Sequence, residues 1–430
     1  MKKYISNLYN NKFVKNVFIV ASGSAIAQLI VLLLLPIVTR LYGPEAYGLL
    51  GTFLAVTAIL APLAALTFPI GIVLPEKNSE AASIIKLSLI VIGIVGMMSI
   101  LALAFFFEHI TELLQAESIA HYIYFIPIVI LLSGLLDIMS QWLIRTNQYK
   151  IIANATVYQP IIAYGGMIVV GLFYPIVTVL IVISVFKTGL TALHMYLLMK
   201  FNLGTSKIDF KNTLLSSVDT LKKYKNFPLY RAPEVFISGL SQNIPVLLLA
   251  SLVNPAAAGF YTIGRTALSF PSQLIGKAVG DVFYPRIANA SINKESLVLL
   301  IRKSTLALMG IGIIPFGIVM IAGPLIFTIV FGGEWLRAGE YAQWIALMSL
   351  AMFISRPAVQ TLPVINAQRF HLMFTVLMTI ARMGALYYGL IVLKDDLKAI
   401  AFFSVVSSIL YVLLIFLTIQ KSSKFMKMYY

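Results

Sequence analysis

The most constraining feature of this sequence is a series of roughly a dozen apolar stretches, each about 20–25 residues long, between Val17 and Gln420. A helix needs about 20 apolar residues to cross the hydrocarbon core of a bilayer. Only helices and closed barrels satisfy their backbone polar groups in lipid. Because the chain is 60% hydrophobic and 11% charged, it is predicted to be an all-α polytopic membrane protein.

The apolar stretches predict about 12 transmembrane helices, and their even number places both termini on one side. The predicted spans are 17–41, 46–74, 83–107, 119–145, 151–173, 176–200, 229–253, 257–286, 303–331, 339–365, 370–393 and 397–420. Of the lysines and arginines in the loops, in the tails and at the ends of these spans, 23 lie on the side of the termini and four on the opposite side. The positive-inside rule therefore predicts that both termini are cytoplasmic. The same distribution explains the formal charge of +16 without a nucleic-acid partner.

A long cytoplasmic loop divides the predicted spans into two sets of six. We expect a six-helix lobe at 1–200, a linker with an amphipathic helix at 201–228, and a second six-helix lobe at 229–430. Four prolines in the first half have counterparts 209–211 residues later: Pro36, Pro44, Pro62 and Pro75 match Pro245, Pro255, Pro271 and Pro285. Since six is even, duplication would give two parallel repeats related by an axis along the membrane normal.

Signatures of enzymes and of bound cofactors are missing from the sequence. There are no cysteines, the four histidines are scattered, and neither HExxH nor a GxxxxGK[ST] loop occurs. The sequence therefore predicts no enzyme, no metal and no cofactor. A membrane glycan polymerase or ligase would need a long outer loop with catalytic groups, and no such loop is predicted.

Ionisable residues inside the spans are the candidates for function, because a charge in the bilayer core is costly and usually faces a cavity or a partner. Five are basic and three are acidic: Lys187, Arg265, Lys277, Arg356 and Arg382, with Asp137, Glu234 and Asp281. Arg265 lies about seven residues into the eighth span, roughly 10 Å deep. Ser269 and Ser272 follow on about the same helical face. Gln28 gives the first span a polar face that either lines a cavity or joins helices.

The sequence leaves the roles of the remaining charges open. Lys277 either lines a cavity or pairs with Asp281 one turn later. Lys187 and Arg382 lie near mid-membrane and are equally compatible with a cavity and with a structural role. Asp137, Arg356, Glu234 and Asp281 are candidates for ion pairs or for ion coupling, and Glu234 has Arg231 beside it for a pair near the surface.

Several segments resemble the oligosaccharide-lipid flippases of bacterial polysaccharide transport. Residues 34–53 (LLPIVTRLYGPEAYGLLGTF) are similar to the first hairpin of that family, and residues 68–75 (FPIGIVLP) to the end of its second span. Residues 224–249 and 259–286 resemble the start of its second half. The likeness covers nearly the whole chain, in the same order and spacing.

The resemblance implies the two-lobe, twelve-helix fold of the multidrug, oligosaccharidyl-lipid and polysaccharide exporter superfamily, with a central cavity lined largely by spans one, two, seven and eight. It implies that a polyprenyl-diphosphate-linked glycan moves from the cytoplasmic to the outer leaflet of the bacterial cytoplasmic membrane, with membrane lipid and a polysaccharide polymerase as partners. Arg265 and Lys277 would then be cavity cations, whereas spans one and two have only Arg40, at the outer end.

The alternative on the same fold is a cation-coupled multidrug exporter. A cavity for cationic drugs would be acidic, whereas the deep charges of this chain are more basic than acidic. Arginine suits a diphosphate, because its planar guanidinium donates paired hydrogen bonds to phosphate oxygens. The sequence therefore favours the flippase.

Overall fold

The protein is described by a computed structural model that covers residues 12–113, 117–201, 217–365 and 367–429, without side-chain detail at several positions between 273 and 292. In these ranges it contains long helices and no strands, as predicted. The long helices are α1 (Lys12–Leu60), α2 (Asn78–Leu113), α3 (Ile126–Arg145), α4 (Tyr149–Gly171), α5 (Val177–Phe201), α6 (Ala232–Leu252), α7 (Pro255–Ile292), α8 (Leu297–Phe331), α9 (Leu336–Val364), α10 (Gln368–Tyr387) and α11 (Asp396–Tyr429). Two short helices are also present, Ala120–Ile123 and, in the predicted linker, Ser217–Lys223. They form two compact units, Met1–Ser251 and Leu252–Tyr430; we call these unit 1 and unit 2.

Within the described ranges, nine helical stretches are long and apolar enough to cross a membrane. They contain ten of the twelve predicted spans, because the stretch Ile19–Leu63 holds the first two. The other two predicted spans coincide with α4 and α7, which are helical but richer in polar residues. The chain is therefore a multi-pass α-helical membrane protein.

The first two predicted spans are separated by a backbone break inside α1. Gly43 has φ 73°, a left-handed conformation that glycine adopts at little cost. Pro44 follows and opens the next helical segment, where its missing N–H costs nothing. The matching segment at the start of α7 also has a proline at the first helical position: Pro255 begins α7, and Asn254 Oδ1 accepts a hydrogen bond from the backbone N–H of Ala257 at 2.8 Å. Duplication of the two halves stays a prediction, in agreement with a proline at both helix starts.

The matched prolines Pro62 and Pro271 have different effects on their helices. The helical part of α1 ends at Leu60, just before Pro62, whereas α7 stays helical past Pro271. The two prolines therefore lie in different local structures.

The second predicted span, 46–74, is helical only as far as Leu60. Beyond it the chain forms two short 3-10 turns, Ala61–Leu63 and Phe68–Val73, each with a proline. Between them Leu66 and Thr67 have positive φ angles, 46° and 60°. Irregular backbone at membrane depth requires protein around it, and most of the second turn is buried.

The guanidinium of Arg145, at the end of α3, supports this irregular segment. Its Nη1 donates to the backbone carbonyls of Ile72, at 3.1 Å, and Pro75, at 2.5 Å. Its Nη2 and Nε donate to the carbonyl of Glu76 and to Asn78 Oδ1. Arg145 thus satisfies backbone acceptors that no helix pairs.

The end of the predicted linker is part of the unit 1 core. Buried Glu80 accepts hydrogen bonds from the Lys223 ammonium and, at 2.8 Å, from the Tyr224 hydroxyl. Burial and the bond to Glu80 raise the pKa of Tyr224 to about 12, so the hydroxyl keeps its proton at neutral pH. The Phe227 ring packs so close to Gly71 that a Cβ there would lie 3.2 Å from it. The segment leading into α6 is thereby fixed to the start of α2.

Unit 2 is organised around α9, which packs against α7, α8 and α11. Helix α8 has a kink at Ala322, close to Pro324. Proline has no N–H to pair with the carbonyl four residues earlier, which here belongs to Met320. Gln343 of α9 replaces the missing donor, since its Nε2 donates to the Met320 carbonyl at 2.9 Å. An interhelical side chain thus satisfies the backbone at the kink.

Candidate functional site

Two of the predicted cavity arginines lie near one tyrosine in unit 2. Tyr261 of α7 is 2% exposed, and both Arg265 and Arg382 lie close enough to interact electrostatically with its hydroxyl group. Arg265 is one turn along α7 from Tyr261, ten residues after the helix begins, or roughly 15 Å along its axis. Arg382 belongs to α10, so the fold joins charges that are more than a hundred residues apart in the sequence.

Arg382 is held by neighbours in its own unit. It is 8% exposed, its Nε donates to the carbonyl of Met378 at 3.3 Å, and its guanidinium lies 6.0 Å from the centre of the Phe403 ring. A cation over an aromatic face is stabilised by the ring quadrupole. Tyr411 of α11 also interacts electrostatically with Tyr261. We call Tyr261, Arg265, Arg382, Phe403 and Tyr411 the arginine–tyrosine cluster.

The chemistry of the arginine–tyrosine cluster suits an oxyanion. Two guanidinium groups supply positive charge and several N–H donors, and the tyrosine supplies a further donor. Charge-assisted bonds from arginine to phosphate are stronger than bonds between neutral groups, and they are frequently bidentate. None of these five residues carries a carboxylate.

The predicted polar residues near Arg265 differ in their surroundings. The Ser269 hydroxyl donates to the carbonyl of Thr266 at 2.8 Å, one turn earlier in its own helix. Ser272 is 3% exposed, and its hydroxyl has no hydrogen-bond partner within the described part of the chain. Gln28 lies partly buried in α1 of unit 1. The side chains of Lys277 and Asp281 lie outside the described residues.

The other predicted charges are not grouped into one site. Glu234 accepts a hydrogen bond from Arg231 at 2.7 Å, and both side chains are about half exposed. Asp137 on α3 is exposed and Arg356 on α9 is partly buried. Within its own unit, neither of the latter two forms an ion pair with a described residue. Their proposed coupling role remains a prediction.

Lys187 lines a cleft of unit 1 between α4 and α5. The cleft is formed by Ala155, Tyr158, Gln159, Ile162, Lys187, Leu190, Thr191 and His194. Sequence reasoning identified Lys187 and missed the polar residues beside it. A signal was present, because Lys187, Thr191 and His194 have the i, i+4, i+7 spacing of one helical face.

The family of the chain is shown by a comparison with family models. The model described as "polysaccharide biosynthesis protein" matches residues 37–340. The chain belongs to this polysaccharide biosynthesis family. No curated protein matches the sequence.

Solved transporter structures share the fold of this family member. An inward-facing multidrug resistance MATE family transporter of the MOP superfamily is 14% identical, covers 96% of both chains and has a TM-score of 0.75. The lipid II flippase MurJ, in an inward closed conformation, is 12% identical, covers 95% of this chain and 90% of its own, and has a TM-score of 0.70. The eukaryotic MATE transporter AtDTX14 is 12% identical, covers 96% of this chain and 98% of its own, and has a TM-score of 0.53. At these identities the likeness establishes the fold, which is that of membrane transporters.

Proposed function

We propose that this protein translocates a polyprenyl-diphosphate-linked oligosaccharide from the cytoplasmic to the outer leaflet of the bacterial cytoplasmic membrane. Its glycan would serve surface polysaccharide biosynthesis. The observation that carries the proposal is the arginine–tyrosine cluster, found in a member of a polysaccharide biosynthesis family with a transporter fold.

The physical problem of such a substrate is its diphosphate. An anion is strongly disfavoured in hydrocarbon unless paired or hydrogen-bonded. Arg265 and Arg382 would replace the hydration shell of the diphosphate with charge-assisted hydrogen bonds, while the polyprenyl chain stays in lipid. Access alternating between the two sides would complete the transfer. The predicted lobes 1–200 and 229–430 would move relative to each other during this transfer. Both termini would be cytoplasmic. A polysaccharide polymerase would be the partner that uses the translocated product.

The test measures the amount of surface glycan in cells whose glycan export depends on this gene. Arg265→Ala and Arg382→Ala should each abolish export, while the amount of protein in the membrane stays normal. Arg265→Lys should restore export in part at most, because an ammonium lacks the paired donors of a guanidinium. Arg369→Ala is the matched control, since Arg369 is exposed near the start of α10.

Two results would oppose the proposal. Normal export by both Arg265→Ala and Arg382→Ala would show that the arginine–tyrosine cluster is not needed for export. Normal surface glycan after deletion of the gene would remove the flippase function itself.

A cation-coupled multidrug exporter is the second candidate, and Asp137 is the observation that favours it. This exposed carboxylate on α3 has no ion pair within unit 1 among the described residues, and a cationic drug needs an acidic partner. Drug-resistance assays separate the two functions: an exporter would lower drug sensitivity in an Asp137-dependent way and leave surface glycan unchanged.

A further inference from the structure

The ammonium group of Lys187 is a deep charge without a counter-ion among the described residues of unit 1. Lys187 is the eleventh residue of the 25-residue helix α5, so about 15 Å of helix precedes it and roughly 20 Å follows. Both distances are too long for a lysine side chain to reach the membrane surface. Among the described residues of unit 1 the ammonium has neither an acidic nor a hydrogen-bonding partner.

The neighbours of Lys187 leave polar groups available for a ligand. The Gln159 amide has no hydrogen bond within the described part of unit 1. His194 Nε2 lies 2.8 Å from Asn154 Oδ1, and the Tyr158 ring lies 5.2 Å from the imidazole. The Thr191 hydroxyl donates to the backbone carbonyl of Lys187 at 2.7 Å. The cleft thus offers a cation and amide donors, and no carboxylate lines it.

The mouth of the cleft is apolar. Tyr158, Ile162 and Leu190 are each more than 40% exposed, so the cleft opens at the surface of unit 1. The cleft has a volume of about 10 Å³, which is about the space of one water molecule. A ligand would therefore lie at the mouth, with its anionic end on Lys187 and its hydrocarbon against the rim.

We propose that the Lys187 cleft of unit 1 is itself a binding site for the diphosphate end of a prenyl-linked substrate. This inference rests on the proposed function and deepens it. A charge near mid-membrane has to face a cavity or a partner, and an amphiphilic diphosphate matches both the cation and the apolar rim. The site also supplies the first half of the chain with a deep cation, which its first two spans lack.

The experiment measures binding of farnesyl diphosphate to the full chain in lipid nanodiscs, with native mass spectrometry as the readout. Lys187→Met should weaken binding by roughly tenfold or more, the usual effect of losing one charged hydrogen bond. Lys187→Arg should retain most of the binding. Lys200→Met is the matched control, because Lys200 is an exposed lysine at the end of the same helix.

Two further arms locate the ligand and identify its source. A benzophenone-bearing prenyl diphosphate should label peptides of α4 and α5 in the wild-type chain, which tests the site even if Lys187→Met misfolds. Farnesyl monophosphate and phosphatidylglycerol should compete weakly. Equal competition by phosphatidylglycerol would show an ordinary lipid site and would overturn the inference.

The results separate the two proposals. If wild type binds farnesyl diphosphate, Arg382→Ala weakens that binding and Lys187→Met does not, the Lys187 site is refuted and the proposed function stands. If wild type does not bind farnesyl diphosphate, the Lys187 site is refuted, and surface glycan after deletion of the gene decides the proposed function.

Discussion

The crossing of α8 and α9 in unit 2 depends on two glycines that face each other. A Cβ built on Gly323 would lie 2.6 Å from the carbonyl oxygen of Gly339 and 2.8 Å from Gln343 Cγ. Real Cβ atoms do not approach backbone oxygen so closely, so Gly323→Ala forces the helices apart. It also disturbs Gln343, which holds the carbonyl of Met320 at the kink.

The size of the effect follows from two opposing terms. Overpacking costs about 1–3 kcal/mol, whereas replacing glycine by alanine within a helix gains up to about 1 kcal/mol. Gly310 is exposed on the same helix, and a Cβ there would meet nothing within 4 Å. Gly310→Ala should therefore show only the stabilisation from replacing glycine by alanine in a helix, which makes it the matched control. The two variants should differ in free energy of unfolding by about 1–3 kcal/mol.

Thermal unfolding in detergent, followed by size-exclusion chromatography of heated samples, measures the difference. For a unit of about this size, 1 kcal/mol corresponds to roughly 2–4 °C. Gly310→Ala should unfold at or slightly above the temperature of wild type, and Gly323→Ala several degrees below Gly310→Ala. Equal unfolding temperatures would refute the close crossing and the packing argument built on it.

Two further predictions concern unit 1 and topology. Tyr224→Phe removes a donor from buried Glu80 and should lower stability by about 1–3 kcal/mol, whereas exposed Tyr230→Phe should not change it; equal unfolding temperatures for the two variants would contradict the contact. Reporter fusions after Lys200 and after Lys427 should be active in the cytoplasm and a fusion after Phe173 outside it; the opposite pattern would reverse the orientation taken from the positive-inside rule.

The interior of the helices was predictable because lipid imposes a length and a polarity on every spanning segment. Their ends were less predictable. The second span was expected to continue to residue 74, yet the helix ends at Leu60. The irregular turns that follow are stable because Arg145, from a helix distant in sequence, satisfies their carbonyls. Hydropathy does not contain that information.

The candidate functional residues were likewise predictable only in part. A deep charge is visible in sequence, so Lys187, Arg265 and Arg382 were all identified. Their neighbours were not, because Tyr158 and Gln159 in α4 resemble ordinary polar residues of a helix until α5 is placed beside them. The predicted roles of Lys277 and Asp281 stay predictions.

The sequence by itself determined that the chain is a helical membrane protein. A run of about 20 apolar residues in lipid has to pair its own backbone polar groups, and a helix does so within the segment. It also determined which charges are deep, because depth follows from position along a helix of fixed rise. Only the tertiary structure decided which deep charges meet. Arg265 and Arg382 lie near Tyr261 because α7 and α10 fold into unit 2, while Lys187 lines a cleft of unit 1. Contacts between helices depend on the shapes of side chains that are distant in sequence, and periodicity within one helix does not specify them.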